Sequence, residues 1–162
     1  MALTAMLVQL ERQIAALDAE IARRAREDPV ARRLMTIPGI GPLIATALAT
    51  LAPPPEHFAK GRDFAAWLGL TPRQHSTGGK QRLGATTKMG ERSLRRLLII
   101  GANSVIIKRH SHASARPGTW LAGLLERKPP MLVRVALANK MARIVWALMK
   151  NDETYRAPTV AA

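Results

Sequence analysis

Six aliphatic residues near the start of the chain recur at a spacing that leaves little choice of local structure. Leu3, Leu7, Leu10, Ile14, Leu17 and Ile21 follow one another at intervals of 4, 3, 4, 3 and 4, the heptad period of an α-helix with one apolar seam. This helix is predicted from about Leu3 to Glu27. Such a seam has to be buried, either in an amphipathic helix packed on its own domain or against a second helix. A coiled coil with a partner helix, and with it a homo-oligomer, is the expected solution.

The remaining chain reads as more helix. The sequence has 162 residues, which suits one compact domain with an appended arm. Hydrophobic residues make up 48% but aromatics only 4%, so the core must be built from Ala, Leu, Ile, Val and Met, a mix that favours helix. Asp28 before Pro29 is an N-cap followed by proline at the first helical position. Helices are predicted over Pro29–Thr36, Pro42–Leu51, Arg62–Leu68, Glu91–Arg109, Thr119–Arg127 and Met131–Lys150. Pro53, Pro54 and Pro55 stop the third helix, and Pro129 and Pro130 open the last. From Thr71 to Gly90 the chain is polar and carries Gly78, Gly79, Gly84 and Gly90. It reads as an extended loop or irregular hairpin, and a loop of this length in a compact domain usually has a function or is disordered. The fold class is all-α: a coiled-coil helix over residues 1–28, then a domain over 29–150, then a loose tail over 151–162. Within the domain, 29–52 reads as a helix-hairpin-helix, 71–90 as a glycine-rich loop and 91–150 as a helical part.

Charge narrows the partner. There are 25 Lys and Arg against 11 Asp and Glu, a formal net charge of +14. Such a balance points to a polyanion, most often nucleic acid, although a basic protein of the ribosomal type has a similar composition. A membrane is the weaker reading, since no apolar run reaches the roughly 18 residues a spanning helix needs and the N-terminus lacks the layout of a signal peptide. There is no cysteine, so disulfides and thiolate metal sites are excluded. The four histidines, with His110 and His112 flanking a serine, make no convincing ligand pattern, and no metal site is expected in this chain.

Three features carry chemistry. The segment Met35-Thr36-Ile37-Pro38-Gly39-Ile40-Gly41-Pro42 resembles the turn of a helix-hairpin-helix DNA-binding motif. Glycines at 39 and 41 would let backbone approach a phosphate, and free N–H groups at the following helix start would donate to its oxygens. Contacts from Pro38, Gly39, Ile40 and Gly41 would position DNA without reading its sequence; a plain helical scaffold is the alternative. The second feature is the loop Arg73-Gln74-His75-Ser76-Thr77-Gly78-Gly79-Lys80-Gln81-Arg82. A serine hydroxyl attacks a phosphodiester when cations or metals stabilise the developing charge and a base takes its proton. The same residues would also make a non-covalent phosphate cradle of Arg73, Gly78, Gly79, Lys80 and Arg82. Third, Lys60 to Arg116 holds twelve cations against only Asp63 and Glu91, and so carries ten of the chain's fourteen net positive charges. Lys88, Arg92, Arg95 and Arg96 belong to this footprint for backbone phosphates, unless they form only a solvated face.

These residues, in the order heptad helix, IPGIGP, then FAAWLGLTPRQHSTGGKQRLGATTKMGERSLRRLLIIGA, resemble the C-terminal transposase domain of the insertion-sequence one-hundred-and-ten family. The resemblance runs from about Arg32 to Lys108. It implies a DEDD/serine recombinase of DNA guided by a bridge RNA, cytoplasmic and associated with the nucleoid. The family's serine nucleophile falls on Ser76. The resemblance also implies a RuvC-like domain holding magnesium on four carboxylates and joined through a coiled coil. No such domain is recognised in this sequence, and Asp18, Glu20, Glu27 and Asp28, on or beside the heptad helix, are not expected to replace its carboxylates. Two functions are therefore carried forward. In one, Ser76 forms a phosphoserine link to DNA as part of a transposase. In the other, the chain is a non-catalytic helix-hairpin-helix module for DNA or structured RNA.

Overall fold

The computed structural model describes residues 2–80, 82–108 and 118–157. Gln81, Arg109, His110, His112 and Arg116, most of the polar link after α5, and the last five residues of the tail lie outside the described residues. The fold is helical with one small sheet: α1 (Ala2–Glu27), α2 (Pro29–Leu34), α3 (Pro42–Leu51), α4 (Gly61–Trp67), α5 (Arg92–Ile107), α6 (Trp120–Arg127) and α7 (Pro130–Asn151), with β1 (Pro72–Gln74) and β2 (Leu83–Thr86) between α4 and α5. A 3₁₀ turn, Pro55–His57, begins at the last residue of the proline run.

The helices begin where their caps predict. The Asp28 carboxylate accepts from the backbone of Val30 at 2.7 Å and Ala31 at 3.2 Å, which satisfies donors that have no partner inside the helix. Thr119 Oγ1 accepts from Ala122 N at 3.3 Å at the start of α6. Pro42 and Pro130 occupy first-turn positions, where a missing N–H costs nothing.

The core lies between α5 and α7. α5 buries Leu94, Leu98, Ala102, Val105 and Ile106, and α7 buries Val133, Leu137, Ala138, Met141, Ala142, Val145 and Leu148. Both sets follow the 3.6-residue period of one helix face. α2 and α3 add Leu34, Ile44, Ala45 and Leu48, and α4 adds Phe64 and Ala65. Three of the aromatics gather at one place: the Phe64 ring meets Phe58 edge-on at 5.2 Å and stacks with Trp67 at 5.7 Å. Trp146 Nε1 donates to the Pro55 carbonyl at 3.0 Å and ties α7 to the proline turn.

α1 stands apart from this core for most of its length. Ala25 is buried and Ile21 is half-buried, but the seam residues Leu3, Leu7, Leu10, Ile14 and Leu17 are exposed, Leu3 by 78% and Leu17 by 63%. Only the last turns of the helix pack on α2 and α3. There the surface is laced by Arg23 with Glu20 and Glu27, at 2.8 and 2.7 Å, and by Arg24 with Glu20 at 2.7 Å. Beyond α7, the described part of the tail touches the hairpin region at two points: Asp152 pairs with Arg33 at 2.6 Å, and Tyr155 N donates to Thr36 Oγ1 at 2.9 Å.

Candidate nucleic-acid interface

The polar stretch after α4 forms a two-stranded antiparallel hairpin. Pro72 pairs with Thr86 and Gln74 with Leu83, with an irregularity in register between them. His75 N donates to Arg82 O at 2.8 Å, and Thr77 bridges to Lys80, whose N donates back to Thr77 O at 3.1 Å. Gly78 and Gly79 are the two residues of the turn, with φ of 57° and 78°. A tight hairpin turn whose twist matches its strands needs positive φ at both central positions. A Cβ on either glycine would meet nothing within 4 Å, so backbone conformation, not crowding, requires glycine here.

Ser76 sits one residue before this turn segment, on the exposed hairpin. Its Oγ accepts from Arg82 N at 3.2 Å and lies 3.3 Å from Gln74 Oε1, to which it donates. The hydroxyl is thus held between the two arms. Among the described residues, no histidine or carboxylate hydrogen-bonds to it. The neighbouring His75 ring lies across the strands against Gly84, where an added Cβ would come within 2.8 Å of it.

Cations surround the hairpin. Arg73, Lys80, Arg82 and Lys88 are all exposed, as are Arg92 and Arg96 on the first turns of α5. None of them makes an ion pair among the described residues. The two carboxylates in this stretch are used as helix caps instead: Asp63 accepts from Lys60 N at 3.0 Å and Glu91 from Ser93 N at 2.8 Å. The positive charge of these residues is therefore not neutralised by ion pairs among the described residues. Arg95 is different. It is partly buried, and its Nη1 donates to the Leu68 carbonyl at 3.0 Å, fastening the end of α4 to α5 below the hairpin.

The α2–α3 turn divides its expected contacts. Ile37 and Ile40 are buried, and Gly39, with φ of 87°, backs onto α5, so these residues build the turn. Pro38 is half-buried. Gly41, Pro42 and Leu43 are exposed, and Gly41 caps α3 with no side-chain hydrogen bond and open space on its side-chain side. The backbone donors at the start of α3 are the part of the turn that faces outward.

The described residues include no group of three or more His, Asp or Glu placed to hold a metal ion. Of the carboxylates near α1, Glu20 and Glu27 are engaged by arginines and Asp28 caps α2. This donor set does not fit magnesium. Nor is any described helix long and apolar enough to cross a membrane.

The helical domain thus lifts a serine-bearing hairpin among cations that make no ion pair among the described residues. Residues 31–117 match the model of the Transposase IS116/IS110/IS902 family, and the chain belongs to that family. It is 50% identical over 150 residues to a Pseudomonas aeruginosa protein named as a family 20 transposase, covering 93% of this chain and 44% of that protein. A Sinorhizobium fredii protein that also carries a transposase name is 49% identical over 148 residues, 91% of this chain and 38% of that protein. The Yersinia enterocolitica transposase for insertion sequence element IS1328 is 43% identical over 143 residues, 88% of this chain and 42% of that protein. The chain thus spans about two fifths of the length of the curated relatives it matches.

The sequence alone did not single out Lys140 and Arg143 of α7, which flank a cleft beside β2. Their signal was present, a pair of cations one helical turn apart on α7, but the helix also carries Arg134 and Lys150, and the basic stretch upstream is denser and outweighs it.

Proposed function

We propose that this chain is the part of an insertion-sequence transposase that grips DNA and attacks it through Ser76. The observation that carries this reading is the hairpin: an exposed serine hydroxyl beside a turn that needs two glycines, on strands that also bear Arg73, Lys80 and Arg82, with Lys88 at their base and no carboxylate paired to any of these cations among the described residues. Phosphate oxygens would be held by these cations, by Arg92 and Arg96, and by the backbone donors at the start of α3. Ser76 Oγ then bonds to phosphorus while the phosphorus–oxygen ester bond to the neighbouring nucleotide breaks, and the proton lost by the serine ends on the departing oxygen. One phosphodiester replaces another, so resealing to a new strand needs no outside energy. A base for that proton would come with the bound nucleic acid or with a companion domain. From the family resemblance, a metal-binding nuclease domain and a guide RNA complete the particle in the bacterial cytoplasm. The open seam of α1 would pair with a second helix to hold copies together.

One observation favours a purely binding role. The Ser76 hydroxyl is already hydrogen-bonded to Arg82 N and Gln74, which would suit a serine that only staples the hairpin.

Two experiments separate these readings. Duplex affinity of this chain should fall roughly a thousandfold or more between about 50 and 200 mM salt if six or more phosphates are contacted. A flat response would remove the nucleic-acid function altogether. In a transposase carrying this domain, Ser76→Ala should leave DNA affinity within about twofold, as exposed changes usually do, and stop strand exchange. Unchanged exchange would leave the chain a binding module.

A further inference from the structure

We infer that the cleft between β2 and α7 is a second nucleic-acid site, one that takes unpaired nucleotides. The inference rests on the nucleic-acid reading above and adds to it a place for a melted strand.

The cleft encloses about 1250 Å³, more than the roughly 300–1,000 Å³ of an ordinary small-molecule pocket. Leu83 to Thr86 of β2 form one wall, Met131, Leu132 and Val135 of α7 another, and Trp120 of α6 also faces it. Much of this lining is apolar yet in contact with solvent: Trp120 is 45% exposed, and Leu83, Met131 and Leu132 are each more than half exposed. Two cations, Lys140 and Arg143, stand at this wall, and no carboxylate is among the described lining residues. Lys140 Nζ lies 4.5 Å from the Trp120 ring centroid, a cation over an indole face. Burial, and then the like charge of Arg143, push the Lys140 pKa down. A phosphate between the two cations would offset both effects.

An apolar aromatic wall beside two cations without carboxylate partners matches one ligand chemistry. The bases of a duplex are stacked and paired, so its grooves offer no π-face to a tryptophan. Unpaired nucleotides offer a base to stack and a phosphate to pair, whatever their sequence. Position agrees with this: Gly84 lines the cleft and also carries the His75 ring next to Ser76. A strand opened at the point of attack would therefore enter the cleft within the same hairpin.

The test uses the whole chain with two labelled probes, a single-stranded oligothymidine and a duplex of equal length. Lys140→Gln/Arg143→Gln and Trp120→Ala are each expected to weaken single-strand binding about tenfold or more while changing duplex binding less than about twofold, with Trp120→Phe close to wild type. The oligothymidine should also quench tryptophan emission in the wild type, and Trp120→Ala should lose most of that quench, Trp146 being the other tryptophan of the cleft lining. Should Trp120→Ala lose helix by circular dichroism, the Lys140→Gln/Arg143→Gln variant decides the matter. Equal losses for both probes, or no loss for either, overturn the assignment. Salt-dependent duplex binding without single-strand binding by the wild type overturns the cleft alone, whereas binding of neither probe removes the nucleic-acid reading with it.

Discussion

Gly39 of the α2–α3 turn and Gly101 of α5 face each other backbone to backbone, with no room for a side chain on either. A Cβ on Gly39 would lie 2.5 Å from the Gly101 carbonyl oxygen and 2.7 Å from Val105 Cγ2, and one on Gly101 would press on the Gly39 carbonyl and on Ile44. The turn that presents the start of α3 is therefore seated directly on the core helix. Gly101→Ala should destabilise the fold by about 1–3 kcal/mol through overpacking, and Gly39→Ala should cost more because its φ of 87° is also strained for alanine. Gly41→Ala, with open space around it, should cost less than about 0.5 kcal/mol. Urea denaturation reads all three, and equal effects at positions 39 and 41 would contradict the seating.

The exposed seam of α1 predicts association. Replacing Leu10 and Leu17 with lysine should shift sedimentation to a smaller species, because two charges enter a seam that heptad pairing would bury. An unchanged mass would mean that the seam has no partner helix.

Arg95 and Arg96 are neighbours in sequence with different work. Arg95→Ala removes a charged donor from the Leu68 carbonyl and should lower stability by about 1–3 kcal/mol. Arg96→Ala should leave stability within about 0.5 kcal/mol but reduce the salt slope of DNA binding by about one phosphate. The opposite pattern would place Arg96, not Arg95, in the scaffold.

This pair also shows where sequence stopped being informative. Both arginines look alike in a basic run, and only the roughly 100° between successive helical residues turns one toward α4 and leaves the other in solvent. The helices themselves were legible because caps and periods are local. Asp28 and Thr119 start helices with their own side chains, and α3 runs from Pro42 to Leu51 between a glycine turn and a proline run. β1 and β2 have three and four residues, too few for a period of two to show, so Gly78-Gly79 was the one local sign of a hairpin. Ser76 stood out in the sequence, but its link to Arg82 N depends on strand register. The cleft of Trp120, Lys140 and Arg143 depends on α6, α7 and β2 meeting, which no local pattern encodes.

The last turns of α1 should respond to acid. Hydrogen bonds from Arg23 and then Arg24 lower the Glu20 pKa from the ordinary 4.5 to about 2. A depressed carboxylate stabilises the folded form above its unfolded pKa, and that contribution disappears as pH falls through the folded value. Wild type and Glu20→Gln should therefore differ in melting temperature at pH 6 at low salt and converge near pH 2. Because these ion pairs lie at the solvent-facing surface, high salt should also erase the difference. A difference that persists at pH 2 would assign it to something other than charge.

The most direct measurement is the site of covalent attachment to DNA. A transposase carrying this domain is trapped on its substrate, digested with protease and nuclease, and the modified peptide is sequenced by mass spectrometry. The account predicts a nucleotide phosphate on Ser76, absent from Ser76→Ala and still formed, more slowly, by Arg73→Ala and Arg82→Ala, since nearby cations substitute for one another and a nucleophile does not. A phosphate on Thr77, or an adduct that survives Ser76→Ala, would contradict it.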